Sequence, residues 1–287
     1  MLTLNFLLFI LAVIPPVTLC LVIKKLDKGV KHSARLLLIL FFAGFACSLP
    51  AIALNTFNEI FLCFVYDTAS YAFFATIFFF VAIHEEGLKM LVFWFFTKDN
   101  VDFERMYDGI IYSVFASLGF ATIENITYVF NWGIQTGLAR AVLSVPFHMF
   151  FAVIMGYNFS MWKFTEHANA YLTVFKKNGV FPESTKPLNS KKYLVFSMVL
   201  PVLTHWMYNF LLVFENKVFY FALILFIYIY CIVKIIVITR NNRDFILSSR
   251  DYLLSKRPEL KEHYKAYREA LEAKDFEAQN ETEKVDT

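Results

Sequence analysis

Residues 82–96 read AIHEEGLKMLVFWFF, and the four residues before them, Phe78 to Val81, are wholly apolar. A histidine, two adjacent glutamates and a lysine therefore interrupt a run long enough to cross a bilayer. A charge near the bilayer centre costs at least about 2.5–3.5 kcal/mol on insertion scales. Something elsewhere in the chain must offset that cost, so this stretch reads as one wall of a polar interior.

The rest of the sequence supplies the other walls. The chain has 287 residues, 58% of them hydrophobic, with 35 Phe and only 9 Gly. Its mean hydropathy is +0.54. A soluble domain sits near roughly 45–50% apolar. Here the excess comes in blocks of about 20, the length a helix needs to span about 30 Å of hydrocarbon. The expected fold is all-α: a polytopic membrane bundle with about seven transmembrane helices, roughly 3–23, 36–54, 69–96, 109–130, 140–162, 193–214 and 217–238. The third is long, so it is tilted, broken or protruding. Pro15 and Pro16 are expected to kink the first. That first block lacks a basic leader and an A-x-A-like site, so it reads as a span and not a signal peptide. The four cysteines have no C-x-x-C spacing and read as small apolar residues.

Loop charges orient the bundle. The loops at 24–35, 97–108 and 163–192 are rich in Lys and Arg. The alternate loops are nearly bare: 55–68 has none, 131–140 only Arg140, and 215–217 only Lys217. The N-terminus is therefore expected outside and the C-terminus inside. Residues 1–238 form the transmembrane core, and 239–287 a charged cytoplasmic tail, helical from about Pro258 to Ala278.

The polar residues inside the blocks fall on four consecutive helices. They are His84, Glu85, Glu86 and Lys89; Glu124 and Asn125; His148; and His205 with Asn209. At about 1.5 Å per residue, Glu85, Glu124, His148 and His205 can share one layer in the outer half of the bilayer. Glu85 and Lys89 are i,i+4 neighbours on one helix face, as are His205 and Asn209. Glu86 lies about 100° round from Glu85. Ala116, Gly119 and Ala121, with Gly156, permit close helix contact. Asp108 reads as a helix-start residue, and His84 as a hydrogen-bonding residue between helices.

Carboxylates and histidines around a wet cavity can cleave an amide in two ways. In one, Zn²⁺ held by His148, His205 and Glu124 polarises the carbonyl and acidifies water. In the other, a glutamate takes the proton from water while His and Asn stabilise the oxyanion. The H-E-x-x-H signature of soluble zinc proteases is absent, because position 88 is Leu. Two other readings are a non-catalytic membrane scaffold and a proton- or ion-coupled transporter.

The same residues resemble a known family. Glu85-Glu86-x-x-Lys89 matches the E-E-x-x-K motif of the PrsW intramembrane proteases. Asp108-Gly109, then Gly119-Phe120 and Glu124-Asn125, resemble that family's second block. His148 with Gly156, and His205-x-x-x-Asn209, resemble its third and fourth. A more distant similarity reaches the CAAX-protease/bacteriocin-processing superfamily. The resemblance implies an endopeptidase acting on membrane-anchored proteins such as anti-sigma factors. Glu85 and Glu86 would be base and binding acid, Glu124 a third acid, and His148 and His205 ligands or oxyanion stabilisers. Lys89, Asn125 and Asn209 would support them. Family naming implies a metal, the superfamily a metal-free glutamate. The partners expected are a membrane-protein substrate and the lipid bilayer, with no nucleic acid. The loop-charge bias fits a bacterial inner membrane.

The orientation is directly testable. Single cysteines placed in the 55–68 loop of a cysteine-free variant should react with an impermeant maleimide on intact cells. Cysteines in the 97–108 loop should react only after permeabilisation.

Overall fold

In the computed structural model the described residues are 2–27, 32–213, 217–240 and 245–285. They form α1 (Leu2–Leu26), α2 (Ala34–Cys63), α3 (Tyr71–Thr97), α4 (Met106–Val142), α5 (Ser144–Lys177), α6 (Lys191–Leu212), α7 (Lys217–Arg240), α8 (Phe245–Lys256), a 3₁₀ turn (Pro258–Leu260) and α9 (Lys261–Val285). Among the described residues, four stretches are long and apolar enough to cross a membrane: Thr3–Leu26, Ala34–Cys63, Met106–Lys177 and Lys191–Leu212. The third of these contains both α4 and α5. The protein is a polytopic helical membrane protein.

Several boundaries differ from the sequence expectation. Ser33 caps α2, its hydroxyl accepting from the Leu36 N–H at 3.4 Å. The helix then continues to Cys63, well past residue 54, because Pro50 and the polar pair Asn55 and Asn58 do not end it. Ser70 caps α3 in the same way, through the Phe73 N–H at 3.1 Å. Helix α3 is one unbroken element, so its length is not explained by a break. α1 likewise stays helical through Pro15 and Pro16. α4 carries a non-helical residue, Gly133, at φ 81° and ψ −168°. An L side chain rarely adopts that conformation, and glycine permits it.

The chain divides into two compact units, Met1–Met161 with Lys191–Arg243, and Trp162–Ser190 with Asp244–Thr287. The tail thus groups with residues 162–190 instead of forming a unit from residue 239 onward. In this second unit Ala168, Leu172, Phe181, Leu253 and Leu260 form a buried cluster. Asn169 clamps the Leu188 backbone, donating to its carbonyl at 2.9 Å and accepting from its N–H at 2.7 Å. Pro258 does begin a helical turn, but α8 precedes it and was not expected.

The first unit is built around α4. Every residue from Met106 to Thr122 is buried, as expected of a helix apolar on all sides. Small residues allow its neighbours to approach. A Cβ on Gly119 would strike the Phe41 backbone of α2, and one on Gly44 the Ala116 backbone. Gly109 and Gly156 face each other across α4 and α5 in the same manner. Ser117 donates to the His148 carbonyl and Ser113 to that of Ala152, each at 2.8 Å. These bonds fix α5 on α4 at the depth of His148.

At the end of α4 that begins with Met106, Asp108 acts as a cap. Its Oδ2 accepts from the N–H groups of Glu104 and Arg105 at 2.9 and 2.8 Å. Arg105 returns to Asp108 Oδ1 at 2.9 Å, and His32 pairs with Asp27 at 2.9 Å. The helix-start reading of Asp108 therefore holds. Above this cluster lies an aromatic layer. Phe159 meets Phe93 at 4.7 Å and Phe103 at 5.8 Å between ring centroids.

The glycine contacts give a stability prediction. Gly119→Val would press a side chain into the α2 backbone and should cost at least about 1–3 kcal/mol. Its unfolding midpoint in detergent should fall well below that of Gly87→Ala, whose Cβ would meet only the mobile end of Met198.

Candidate active site

On α3, Glu85 and Glu86 are consecutive and so point about 100° apart, with Lys89 one turn further on. Glu85 lines a cavity of about 610 Å³ together with Glu124 of α4, His148 of α5, and His205 and Asn209 of α6. Glu86 is fully buried behind that wall. The four helices thus bring together the residues that the sequence singled out, and they separate the two neighbouring glutamates by role.

Lys89 is the hub. It is 1% exposed. Its Nζ donates to Glu86 Oε1 at 2.8 Å, lies 3.6 Å from Glu85 Oε2, and is 3.0 Å from His148 Nδ1. It also sits 4.2 Å from the centre of the Phe120 ring, a favourable cation–π placement. An ammonium is a donor only, so His148 Nδ1 accepts and its Nε2 carries the proton. Nε2 then donates to Glu124 Oε2 at 2.8 Å.

His205 has the opposite arrangement. Its Nδ1 is 2.9 Å from Glu86 Oε1. An ionised carboxylate only accepts, so Nδ1 carries a proton and, in the neutral ring, the lone pair is on Nε2. That lone pair faces Glu85 Oε2 at 3.9 Å. The His205 ring stacks on Phe151, 4.9 Å away and 17° from parallel. Next to it, Trp206 ties α6 to α3 through the Ala75 carbonyl at 2.9 Å. Glu86, and not Asn209, therefore orients His205. Asn209 lines the cavity instead.

Other residues support this layer. Asn55 donates to Glu85 Oε1 at 3.3 Å and accepts from His84 at 3.0 Å, while Asn58 meets the other His84 nitrogen at 3.3 Å. The reading of His84 as an interhelical hydrogen-bonding residue holds. Asn55 and Asn58 were missed because span two was ended at residue 54. Asn125 turns away from the cavity and donates to the Ala12 carbonyl of α1 at 3.3 Å. Arg140, read from the sequence only as a loop charge, meets Glu124 Oε2 at 3.2 Å and Asn125 Oδ1 at 2.7 Å.

The donor set suits a metal ion. Among the described residues three triads have ligand atoms within 4.8 Å of one another; Asp27, His32 and Asp108 lie at the start of α4, and the two in this layer are Glu85, Glu86 and His205, and Glu85, Glu124 and His148. Both include Glu85. The expected grouping of His148, His205 and Glu124 is not among the triads found in the described residues. In the first triad, Glu85 Oε2 and Glu86 Oε2 are buried without a hydrogen-bond partner, and His205 Nε2 holds a lone pair. Nitrogen and carboxylate donors of this kind can hold a divalent metal ion. In the second, the His148 lone pair is taken by Lys89.

Comparison with known proteins agrees with this geometry. Residues 32–238 match the family described as PrsW family intramembrane metalloprotease. The chain is 32% identical over 242 residues to Protease PrsW of Clostridioides difficile, covering 83% of this chain and 89% of that protein. The chain belongs to the PrsW family. Shorter matches reach Protease PrsW of Geobacillus kaustophilus, 38% identical over 47% of this chain and 51% of that protein. Protease PrsW of Bacillus subtilis is 31% identical over 48% of this chain and 55% of its own length. No solved structure matches. As a PrsW-family member the chain is an intramembrane metalloprotease.

Lys89 should carry much of the site's stability. Lys89→Met leaves buried carboxylates unpaired, which costs about 3–5 kcal/mol. Its unfolding midpoint in detergent should fall sharply, and the loss should shrink in a Glu86→Gln background.

Proposed function

We propose that this chain hydrolyses peptide bonds of membrane-anchored proteins of the anti-sigma-factor kind, close to the outer face of a bacterial inner membrane. The observation that carries this reading is the shared cavity. Glu85, Glu124, His148, His205 and Asn209 all line it, and its remaining walls come from the same ends of α2, α3, α4 and α6. With seven spans and the N-terminus outside, those ends face the extracytoplasmic side. Residues 1–238 would be the protease core, and the tail a cytoplasmic appendage. Phe73, Phe74, Phe78, Tyr128 and Trp132 give the cavity apolar walls, which suits a substrate arriving as a hydrophobic segment.

Glu85 is the carboxylate placed to receive a proton from water. Its Oε2 has no hydrogen-bond partner, lies 3.6 Å from the Lys89 ammonium, and faces His205 Nε2 at 3.9 Å. A water in reach of both would be turned with its oxygen toward a carbonyl in the cavity. Glu86 does not touch that water; it holds His205 in the required tautomer. Glu124 keeps the His148 ring turned to the cavity, and the Asn209 amide is free to donate to the developing oxyanion. Where a zinc ion is bound, Glu85, Glu86 and His205 would hold it, Glu85 would then serve as ligand instead of proton acceptor, and the ion would supply carbonyl polarisation and a more acidic water.

The test is cleavage of a single-span membrane substrate by purified protein. Glu85→Gln should lower the rate by about 10²–10⁴-fold, the usual worth of a positioned proton acceptor. Chelation should abolish activity and added Zn²⁺ restore it. Undiminished cleavage by the Glu85 variant would sink the assignment.

A further inference from the structure

Among the described residues, Arg140 is the strongly basic group lining the cavity that no motif accounts for. It lies in the stretch that the sequence presents as an outer loop. The positive φ of Gly133 reverses the chain within α4, so residues 134–142 fold back along the helix they have just left. Arg140 thereby meets side chains fifteen and sixteen positions earlier. The returning segment is seated at Gly137, where an added Cβ would strike Leu11 of α1 and Val129 of α4.

The contact is specific to a guanidinium. Glu124 and Asn125 are sequence neighbours, so on a helix they point about 100° apart. Arg140 reaches both at once, Nε to Asn125 Oδ1 at 2.7 Å and Nη2 to Glu124 Oε2 at 3.2 Å. Its planar fork allows this, whereas an ammonium acts as a single point. The guanidinium also lies 4.2 Å from the Tyr128 ring centre. Its side chain is 12% exposed and that of Glu124 14%, so this is no freely solvated surface pair.

Charge balance gives the contact a purpose. Glu85, Glu86 and Glu124 converge on one buried layer, and Lys89 directly contacts only the first two. Arg140 supplies the second cation, on the side that Lys89 does not reach. The same Glu124 oxygen then receives both Arg140 and His148. Among the described residues, Arg140 and His148 are the groups that hold the Glu124 carboxylate by hydrogen bonds.

We infer that Arg140 is a positioning residue of the active site, delivered by the reversal at Gly133, and that it holds Glu124 against His148 whenever residues 134–142 are docked. This rests on the site assignment above. The fold-back is thus part of the catalytic apparatus.

The experiment is substrate cleavage by purified full-length Arg140→Ala, Arg140→Lys and Glu124→Ala, with and without millimolar guanidinium chloride. Arg140→Ala should lose about 10–100-fold in kcat, the scale of an ångström-level misplacement, with a smaller change in KM. Guanidinium should restore part of the Arg140→Ala activity and none of the Glu124→Ala activity. Arg140→Lys should recover less than the small cation does. Full activity in Arg140→Ala, or a loss that guanidinium leaves untouched, overturns the inference. If Glu85→Gln and Glu124→Ala are also fully active, the site assignment itself has failed. If those two are inactive while Arg140→Ala is not, only the role of Arg140 has.

Discussion

A buried ammonium organises this molecule. Lys89 stands between Glu86, Glu85 and His148 with almost no access to solvent. Charges buried this far from solvent must find partners in the protein. Lys89 brings three such groups together from α3 and α5, and Glu86 extends the chain to His205 on α6. Removing one link leaves the others exposed to the full cost of desolvation. The polar layer is thus both the expensive part of the fold and the part that fixes how α3, α5 and α6 meet.

The two histidines gain different characters from this arrangement. His148 has a cation at its back and presents a proton to Glu124. His205 has an anion at its back and presents a lone pair toward Glu85. Identical side chains are made donor and acceptor by what stands behind them. Helix α4 sets the spacing: its glycines let α2 and α5 approach to backbone contact, and Glu124 projects from its far half into the gap that remains.

Much of this was legible in the sequence because insertion into a membrane makes polar residues conspicuous. Glu85, Glu86, Lys89, Glu124, His148 and His205 stood out against apolar surroundings, and all six meet in one layer. What could not be read was orientation. The spacing of Glu85 and Glu86 shows that they diverge, but not which one faces the cavity. Histidine tautomers depend on neighbours from other helices. Arg140 was invisible as a site residue because its position depends on a backbone reversal at Gly133. Asn55 and Asn58 did leave a signal: they lie three apart among Ile52, Phe57, Ile60 and Phe61, a pattern that would have carried span two onward.

The aromatic layer of Phe93, Phe103 and Phe159 has a consequence for the cell and not for the substrate. A hydrated pocket filled with carboxylates and imidazoles is also a chain of proton carriers. If it reached both surfaces it would short-circuit the potential on which the membrane's energy supply depends. The rings lie between the carboxylate layer and the cluster of Asp108, His32 and Arg105 at the opposite end. Neither these rings nor that cluster lines the cavity; packing of this kind would leave such a chamber a blind well instead of a leak.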